Sequence, residues 1–259
     1  MDRIKEHFDA NPEFYACGKG NPQVEEIWRQ RMPMFAQIID GRPAPFRMLD
    51  VGGGNGFFAD RMLERFPQLE VTIVDISQSM LNENQPDPRK TLVCSDLQTY
   101  FQSLTDDTEY DLINFDVLLH HILTPQSFRE SRRMQQDVLN QSATRLSSDG
   151  YLSIREIAYT SIAPLPRHAT HKFLWFCTTR HLPGPARRMM HSMGMHSQGA
   201  GVCFFHADDL RQMLATSGLS ISQWKTHQLA RVGWKYHLAL AGNATDLYII
   251  AGRNAAPAN

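Results

Sequence analysis

Short apolar runs that end in turn residues recur along residues 46–157. The first is RMLDVGGGNGFFAD at Arg47–Asp60, and comparable runs stand at Val71–Ile76, Thr91–Leu97 and Tyr110–Ile122. Apolar runs of about four to eight residues between turn signals predict buried strands. Because helix-like stretches separate these runs, the pattern predicts βα units that pair into a parallel sheet.

The first predicted strand leads into a turn that contains Gly52, Gly53, Gly54 and Gly56. Glycine tolerates positive φ angles, and its missing Cβ lets a ligand approach the backbone. The helix behind the turn begins with unpaired N–H groups and a partial positive charge. In open α/β sheets, such a junction at the carboxyl end of a strand binds nucleotide-like ligands.

The spacing of the glycines separates two kinds of cofactor. Dinucleotide enzymes use Gly-x-Gly-x-x-Gly, but Phe57 stands where that pattern needs its third glycine. An NAD-dependent dehydrogenase is therefore the weaker interpretation. Asp75 ends the second apolar run, about 20 residues beyond the glycines, where a carboxylate binds ribose hydroxyls. The alternative interpretation of Asp75 is an ordinary helix N-cap.

Five segments in this order resemble the class I S-adenosylmethionine (SAM)-dependent methyltransferases of the small-molecule branch. Asp50-x-Gly-x-Gly-x-Gly56 resembles their motif I, and Tyr110–Ile122 resembles motif IV. Leu146–Glu156 resembles their fifth strand, with Ser148 and Asp149 in place of the usual Pro-Gly. The resemblance implies an α/β fold with a seven-stranded, mostly parallel, doubly wound sheet. It also implies an antiparallel last strand, N-terminal helices and a helical cap inserted after strand five.

The resemblance implies SAM as the cofactor and S-adenosylhomocysteine as the product. By this resemblance, Asp75 binds the ribose hydroxyls of SAM, and Asp96 accepts a hydrogen bond from its adenine amino group. Asp116 and Val117 close over the amino acid end of SAM. The full set of cofactor-binding residues that it implies is Asp50, Gly52, Gly53, Gly54, Gly56, Asp75, Ile76, Met80, Asp96, Leu97, Asp116, Val117 and His121.

We expect three parts in the chain. Residues 1–42 form an N-terminal helical lid, in which Phe14 and Tyr15 are candidates to contact the substrate; packing on the flank of the sheet is the alternative. Residues 43–157 and 204–254 form the cofactor-binding core. Residues 158–203 form the cap.

The cap region has an unusual composition. Ala158–Ala207 contains no Asp or Glu, but it has five Lys or Arg, six His and four Met. A patch of one sign attracts opposite charge, and Met-rich surfaces accept irregular apolar ligands. We therefore expect a small anionic or aromatic substrate. The alternatives to a substrate-binding role for this region are a solvated face and contact with anionic lipid or a carrier protein. The candidate substrate contacts in and beside the cap are His168, His171, Trp175 and His206.

Candidates for a general base stand just past two predicted strands. His120 and His121 follow strand four, and Glu156 ends strand five. The structural alternatives are a histidine bonded to the backbone and, for Glu156, an ion pair with Arg155 or a role as a cap residue. O-methylation is our first hypothesis, and N- or C-methylation stay open. The Asn/Asp-Pro-Pro-Tyr/Phe motif of amino methylation on nucleic acids is absent.

Composition sets further limits. The chain has 259 residues, a net charge of −1, 42% hydrophobic and 20% charged residues, so we expect a globular protein that does not bind nucleic acid broadly. No apolar run approaches the roughly 20 residues of a membrane span, and a signal-peptide core is missing, so we expect a cytoplasmic location.

We predict no metal, because zinc needs three or four converging ligands. A homodimer stays open, as does a non-catalytic SAM-fold subunit that binds a partner through the cap.

Overall fold

The computed structural model describes residues 22–162, 164–180, 184–185, 188, 201–229 and 240–253. The strands are β1 (Phe46–Val51), β2 (Leu69–Asp75), β3 (Lys90–Cys94), β4 (Tyr110–Asp116), β5 (Leu146–Ser161), β6 (Ser220–Gln228) and β7 (Ala241–Gly252). The helices are α1 (Pro22–Ile39), α2 (Phe57–Arg65), α3 (Gln78–Leu81), α4 (Leu97–Ser103), α5 (Phe128–Thr144), α6 (Ala169–Thr179) and α7 (Ala207–Thr216), with a 3-10 turn at Leu119–His121.

The strands form one seven-stranded sheet in the order β3-β2-β1-β4-β5-β7-β6. The first five strands in this order are parallel, and β7 runs antiparallel to both of its neighbours. The predicted fold class is therefore confirmed. The strand order reverses between β1 and β4, and open α/β sheets bind ligands at the carboxyl ends of the strands at this switch point.

Helices cover both faces of the sheet. Successive residues of β1 point to opposite faces, so Met48 packs with Phe35 of α1 and Met62 of α2. Leu49 packs on the other face, in the cluster that contains Leu139 of α5. Alternate residues of one short strand thus fill two separate cores, which is the arrangement of a doubly wound sheet.

Helix α1 continues through Pro33 and buries Met34, Phe35, Ile38 and Ile39 against the sheet. Part of the predicted lid is thus a helix packed on the core. Phe14 and Tyr15 lie outside the described residues. None of the described helices is long and apolar enough to cross a membrane.

The cap begins later than the sequence suggested. We expected it to start at residue 158, but β5 continues to Ser161 because the long β7 pairs with it as far as Ala241. Helix α6 follows, and the chain returns to the core at Phe205, whose carbonyl accepts a hydrogen bond from the Tyr159 N–H (3.0 Å). Helix α6 itself is tied to β5 near its first turn, where His171 Nε2 donates to the Tyr159 carbonyl (2.9 Å).

Candidate cofactor and acceptor site

A cavity of about 950 Å³ opens at the carboxyl ends of the strands, where β1 and β4 are neighbours. Pockets for a single small ligand measure about 300–1,000 Å³, so this cavity has room for a nucleotide-like cofactor and part of a second molecule. All but one of the predicted cofactor residues line it: Asp50, Gly52, Gly53, Gly54, Asp75, Ile76, Met80, Asp96, Leu97, Asp116, Val117 and His121.

The exception, Gly56, supports the glycine turn from behind. It precedes α2 with φ of 74°, and a Cβ there would lie 1.8 Å from Asn84 Oδ1. The Asn84 side chain needs that space because its Nδ2 donates to the Gly54 carbonyl (2.8 Å). Asn84 therefore holds the turn in shape, a role that its polar, Pro-containing loop did not reveal in the sequence.

Asp75, which ends β2, and Asp96, which follows β3, hold backbone at the cavity wall. Asp75 accepts hydrogen bonds from the N–H groups of Gly54 (3.0 Å) and Ser77 (2.8 Å). Asp96 caps α4 and accepts from Thr99 N (3.0 Å) and Thr99 Oγ1 (2.7 Å). Burial would raise the pKa of Asp96, but these hydrogen bonds outweigh it and lower the pKa below its ordinary value. Each carboxylate can accept further bonds, so the assigned ribose and adenine roles stay predictions.

Asp50 is the buried acid at the floor of the cavity. It is 1% exposed, and its Oδ1 accepts from Asn114 Nδ2 (2.8 Å). Its Oδ2 has no hydrogen-bond partner among the described residues. Burial raises the pKa of Asp50 to about 7, although the bond from Asn114 opposes the shift. A buried carboxylate oxygen without a partner is costly, and it fits a ligand that brings a donor or a positive charge.

Arg31 of α1 reaches the same end of the cavity, which the sequence analysis missed. Its guanidinium is buried and donates to Asp116 Oδ2 (2.5 Å) and Asn114 Oδ1 (2.8 Å). It also lies over the Phe58 ring, 4.8 Å from the centroid. One signal was present: Arg31 lies at helical spacing from Trp28 and Phe35, which puts an arginine on the apolar face of α1.

Asp116 joins two arginines. Besides Arg31, it pairs with Arg155 of β5 (3.1 Å), which in turn pairs with the buried Asp246 of β7 (3.1 Å). Burial would raise the pKa of Asp116, but the two guanidinium groups outweigh it and hold the pKa below its ordinary value. The suggested ion pair between Arg155 and Glu156 is wrong, because these neighbours on β5 point to opposite faces of the sheet.

The three candidate bases come together at the cavity. His120, in the 3-10 turn after β4, places its Nδ1 2.9 Å from an oxygen of Glu156, which is fully buried on β5. With Nδ1–H donating to the carboxylate, Nε2 is the ring nitrogen left for another molecule. The His121 ring lies 4.1 Å from the His120 ring, centroid to centroid. His120 and His121 line the cavity, and Glu156 stands behind His120.

Aromatic residues extend this wall. The His120 ring stacks on Phe204 (4.6 Å between centroids), and Phe204 meets the edge of Tyr159 (4.8 Å). Tyr159, Phe204, Thr178 and Val202 all line the cavity. No sequence pattern pointed to these four residues, since apolar and hydroxyl side chains carry no spacing signal.

The candidate contacts in and beside the cap lie elsewhere. His168, His171, Trp175 and His206 are not part of the cavity lining. His171 Nε2 donates to the Tyr159 carbonyl (2.9 Å), and burial lowers the pKa of His171 to about 4. Trp175 Nε1 donates to Thr124 O (3.2 Å), and His206 is the N-cap of α7. These side chains support the cap and do not face the described cavity.

His168, His171 and Asp209 place potential metal-ligating atoms within 4.8 Å of one another. Asp209 is already paired with two guanidinium groups, from Arg132 (3.1 Å) and Arg167 (2.9 Å). A metal ion would have to compete with both for the carboxylate. The absence of a metal site therefore stays our prediction.

A family model described as "Methyltransferase domain" matches residues 22–223. The chain belongs to this methyltransferase family. Its cofactor is SAM, and the dehydrogenase interpretation is wrong. The glycine turn, the acids at the strand ends and the Asp50 oxygen that has no partner among the described residues fit a ligand with ribose hydroxyls and an amino group.

Relatives of the methyltransferase differ in their acceptors. It is 24% identical over 115 residues to malonyl-[acyl-carrier protein] O-methyltransferase 1 of Ilyobacter polytropus, covering 43% of this chain and 39% of that one. Its fold resembles a SAM-dependent methyltransferase from Anabaena variabilis (TM-score 0.60, 12% identity, 97% and 93% covered). It also resembles a Haemonchus contortus N-methyltransferase bound to S-adenosylhomocysteine (TM-score 0.54, 13% identity, 87% and 52% covered). The structural likenesses establish the fold alone.

Proposed function

We propose that this methyltransferase transfers the methyl group to an oxygen of a small aromatic or otherwise apolar molecule, with His120 as the general base. The observation that carries the proposal is the His120–Glu156 pair at the cavity wall (2.9 Å). A buried carboxylate fixes the orientation of the imidazole and stabilises the imidazolium ion that forms when it accepts a proton.

Bound SAM supplies a methyl group on a positively charged sulfur. The chain's own task is to align the acceptor and to take its proton. The proton of an acceptor hydroxyl passes to His120 Nε2 as the oxygen forms its bond to the methyl carbon and the carbon–sulfur bond breaks. The products are the methyl ether and S-adenosylhomocysteine, and the imidazolium later releases its proton to solvent. Proton transfer of this kind contributes about 10²–10⁴ in rate.

The walls near His120 favour an aromatic acceptor over an anionic one. Phe204 and Tyr159 offer ring faces and edges, against which a flat molecule can stack. Within the described residues, the cations on the cavity wall are Arg31 and Arg155, and both are paired with carboxylates. The described cap cations Arg167, Lys172, Arg180 and Arg188 are absent from the lining.

Matched probes test the acceptor chemistry. We would measure transfer of a labelled methyl group from SAM to 2-naphthol, 2-naphthylamine and 2-naphthoate, which share a ring system but differ in the accepting group. We expect 2-naphthol to be methylated fastest. Preferred methylation of the amine or the carboxylate would refute the proposed oxygen acceptor or the neutral acceptor, respectively.

Two variants test the base. His120→Ala should lower kcat by about 10²-fold or more and remove the limb of the pH–rate profile that a general base produces. Glu156→Gln keeps the shape but removes the negative charge, so it should lower kcat in the same direction. Both should bind SAM as the wild type does. A His120→Ala enzyme with wild-type kcat would show that methyl transfer needs no base here.

A further inference from the structure

The outward face of α6 carries an apolar side chain between two cations. Lys172, Phe176 and Arg180 follow one another at intervals of four residues, and all three are exposed. Residues four apart lie on one face of a helix, so they form a single stripe, which Arg180 extends just past the end of α6. Phe176 is 52% exposed, and the Arg180 guanidinium lies 5.4 Å from the centre of its ring.

Other described residues of the cap have the same character. Leu165, just before α6, is 38% exposed, and Arg188 is exposed. No acidic residue occurs between Ala158 and Ala207. Among the described residues, Lys172 and Arg180 have no ion-pair partner, whereas Arg167 is paired with Asp208 and Asp209. The stripe thus leaves positive charge and a large apolar side chain facing solvent.

The opposite face of α6 belongs to the cavity. Leu174 and Cys177 pack with Tyr159 and Phe204, and Thr178 lines the cavity itself. Helix α6 therefore separates the stripe from the part of the cavity beside Tyr159 and Phe204, which we call the acceptor chamber. A surface that binds the stripe would lie directly over the chamber.

We propose that the stripe Lys172–Phe176–Arg180 docks the protein on an anionic lipid surface. Basic residues beside an exposed aromatic ring are the composition of helices that lie in a membrane interface. Lys172 and Arg180 stand at the two ends of the stripe, on either side of Phe176, and not in one pocket, which suits a diffuse layer of headgroups that imposes no fixed spacing. Lipid docking would place the chamber beside apolar acceptors. The proposal does not depend on which atom is methylated.

Sedimentation with vesicles tests this docking. We would compare vesicles of phosphatidylcholine with vesicles that also contain phosphatidylglycerol. We expect binding to the anionic vesicles only, and weaker binding as salt is raised, because salt screens the attraction. Lys172→Ala and Arg180→Ala should each weaken binding about fivefold, the effect of one cation near such a surface. Phe176→Ser should weaken it about tenfold, since the ring no longer enters the interface.

Arg47→Ala is the matched control. Arg47 is an exposed cation near the start of β1, at the amino ends of the parallel strands and so away from the carboxyl-end cavity, and like Lys172 and Arg180 it has no ion-pair partner among the described residues. This variant should bind the vesicles like the wild type. The proposal is overturned if the wild type ignores anionic vesicles, or if the three stripe variants bind as the wild type does. Binding to poly-glutamate without binding to vesicles would also overturn it, in favour of an acidic protein partner.

Discussion

Replacing Asp50 by asparagine separates two effects of its buried charge, which lowers the stability of the ligand-free protein and contributes to SAM binding. Asp50 is buried, accepts one hydrogen bond from Asn114, and has one oxygen without a partner among the described residues. Asparagine has nearly the same shape, and its oxygen can keep the bond from Asn114. The variant therefore removes the charge with little change in packing.

The sign of the stability effect follows from the pKa. Burial raises the pKa of Asp50 from 3.8 to about 7, so the folded protein holds this proton more tightly than the unfolded chain does. Ligand-free wild-type protein should lose the corresponding stability as the pH rises from about 4 to about 7. Each pKa unit is worth about 1.4 kcal/mol, so the loss above pH 7 approaches about 4 kcal/mol.

Asp50→Asn should not lose this stability. Its free energy of unfolding at pH 8 should exceed that of the wild type by up to about 4 kcal/mol, and the two should converge near pH 4. A protein of this size gains about 2–4 °C in Tm per kcal/mol. Thermal unfolding at several pH values measures the difference, and all other titrating groups are shared by the two proteins.

Binding of SAM should change in the opposite direction. The variant lacks the carboxylate that would accept from the SAM amino group, so its affinity should fall by about 1.5–3 kcal/mol, or about 10–150-fold, in calorimetric titration. A variant that is less stable than the wild type at pH 8 would refute the argument from burial. Unchanged SAM affinity would show that Asp50 does not contact the cofactor.

Three more substitutions test other parts of the site. Asp75→Ala should weaken SAM binding by about 1–3 kcal/mol in the same titration; unchanged affinity would show that the assigned ribose contact is wrong. Gln135→Met removes the amide that donates to Leu119 O (3.0 Å) and Cys203 O (2.9 Å) on either side of the His120 wall, so kcat should fall at least about tenfold with SAM affinity kept. Arg31→Met removes the guanidinium from the partly buried Asp116, which keeps its pair with Arg155, and urea unfolding should show a loss of about 1.5–3 kcal/mol; a loss below 1 kcal/mol would mean that water replaces the guanidinium.

The order of strands and helices could be predicted because short sequence patterns specify it. Apolar runs, glycine spacing and acids at strand ends fix the element types and the turns, and each of the predicted strands forms. The placement of Asp50, Gly54 and Asp75 around one cavity followed from a general property of parallel sheets, whose carboxyl ends share one edge. The same reasoning did not work for the cap. Its histidines are closely spaced in the sequence and suggested substrate contacts, yet His171 donates to a backbone carbonyl of β5.

The sequence by itself determined the family, the sheet and the location of the cofactor pocket, because short-range patterns are enough to specify them. Only the tertiary structure decided which side chains meet. His120 and Glu156 are 36 residues apart, and Arg31 and Asp116 are 85 residues apart. Their contacts depend on the lateral pairing of β4 with β5 and on the packing of α1 against the sheet. Both are set by the burial of whole faces, which no local pattern encodes.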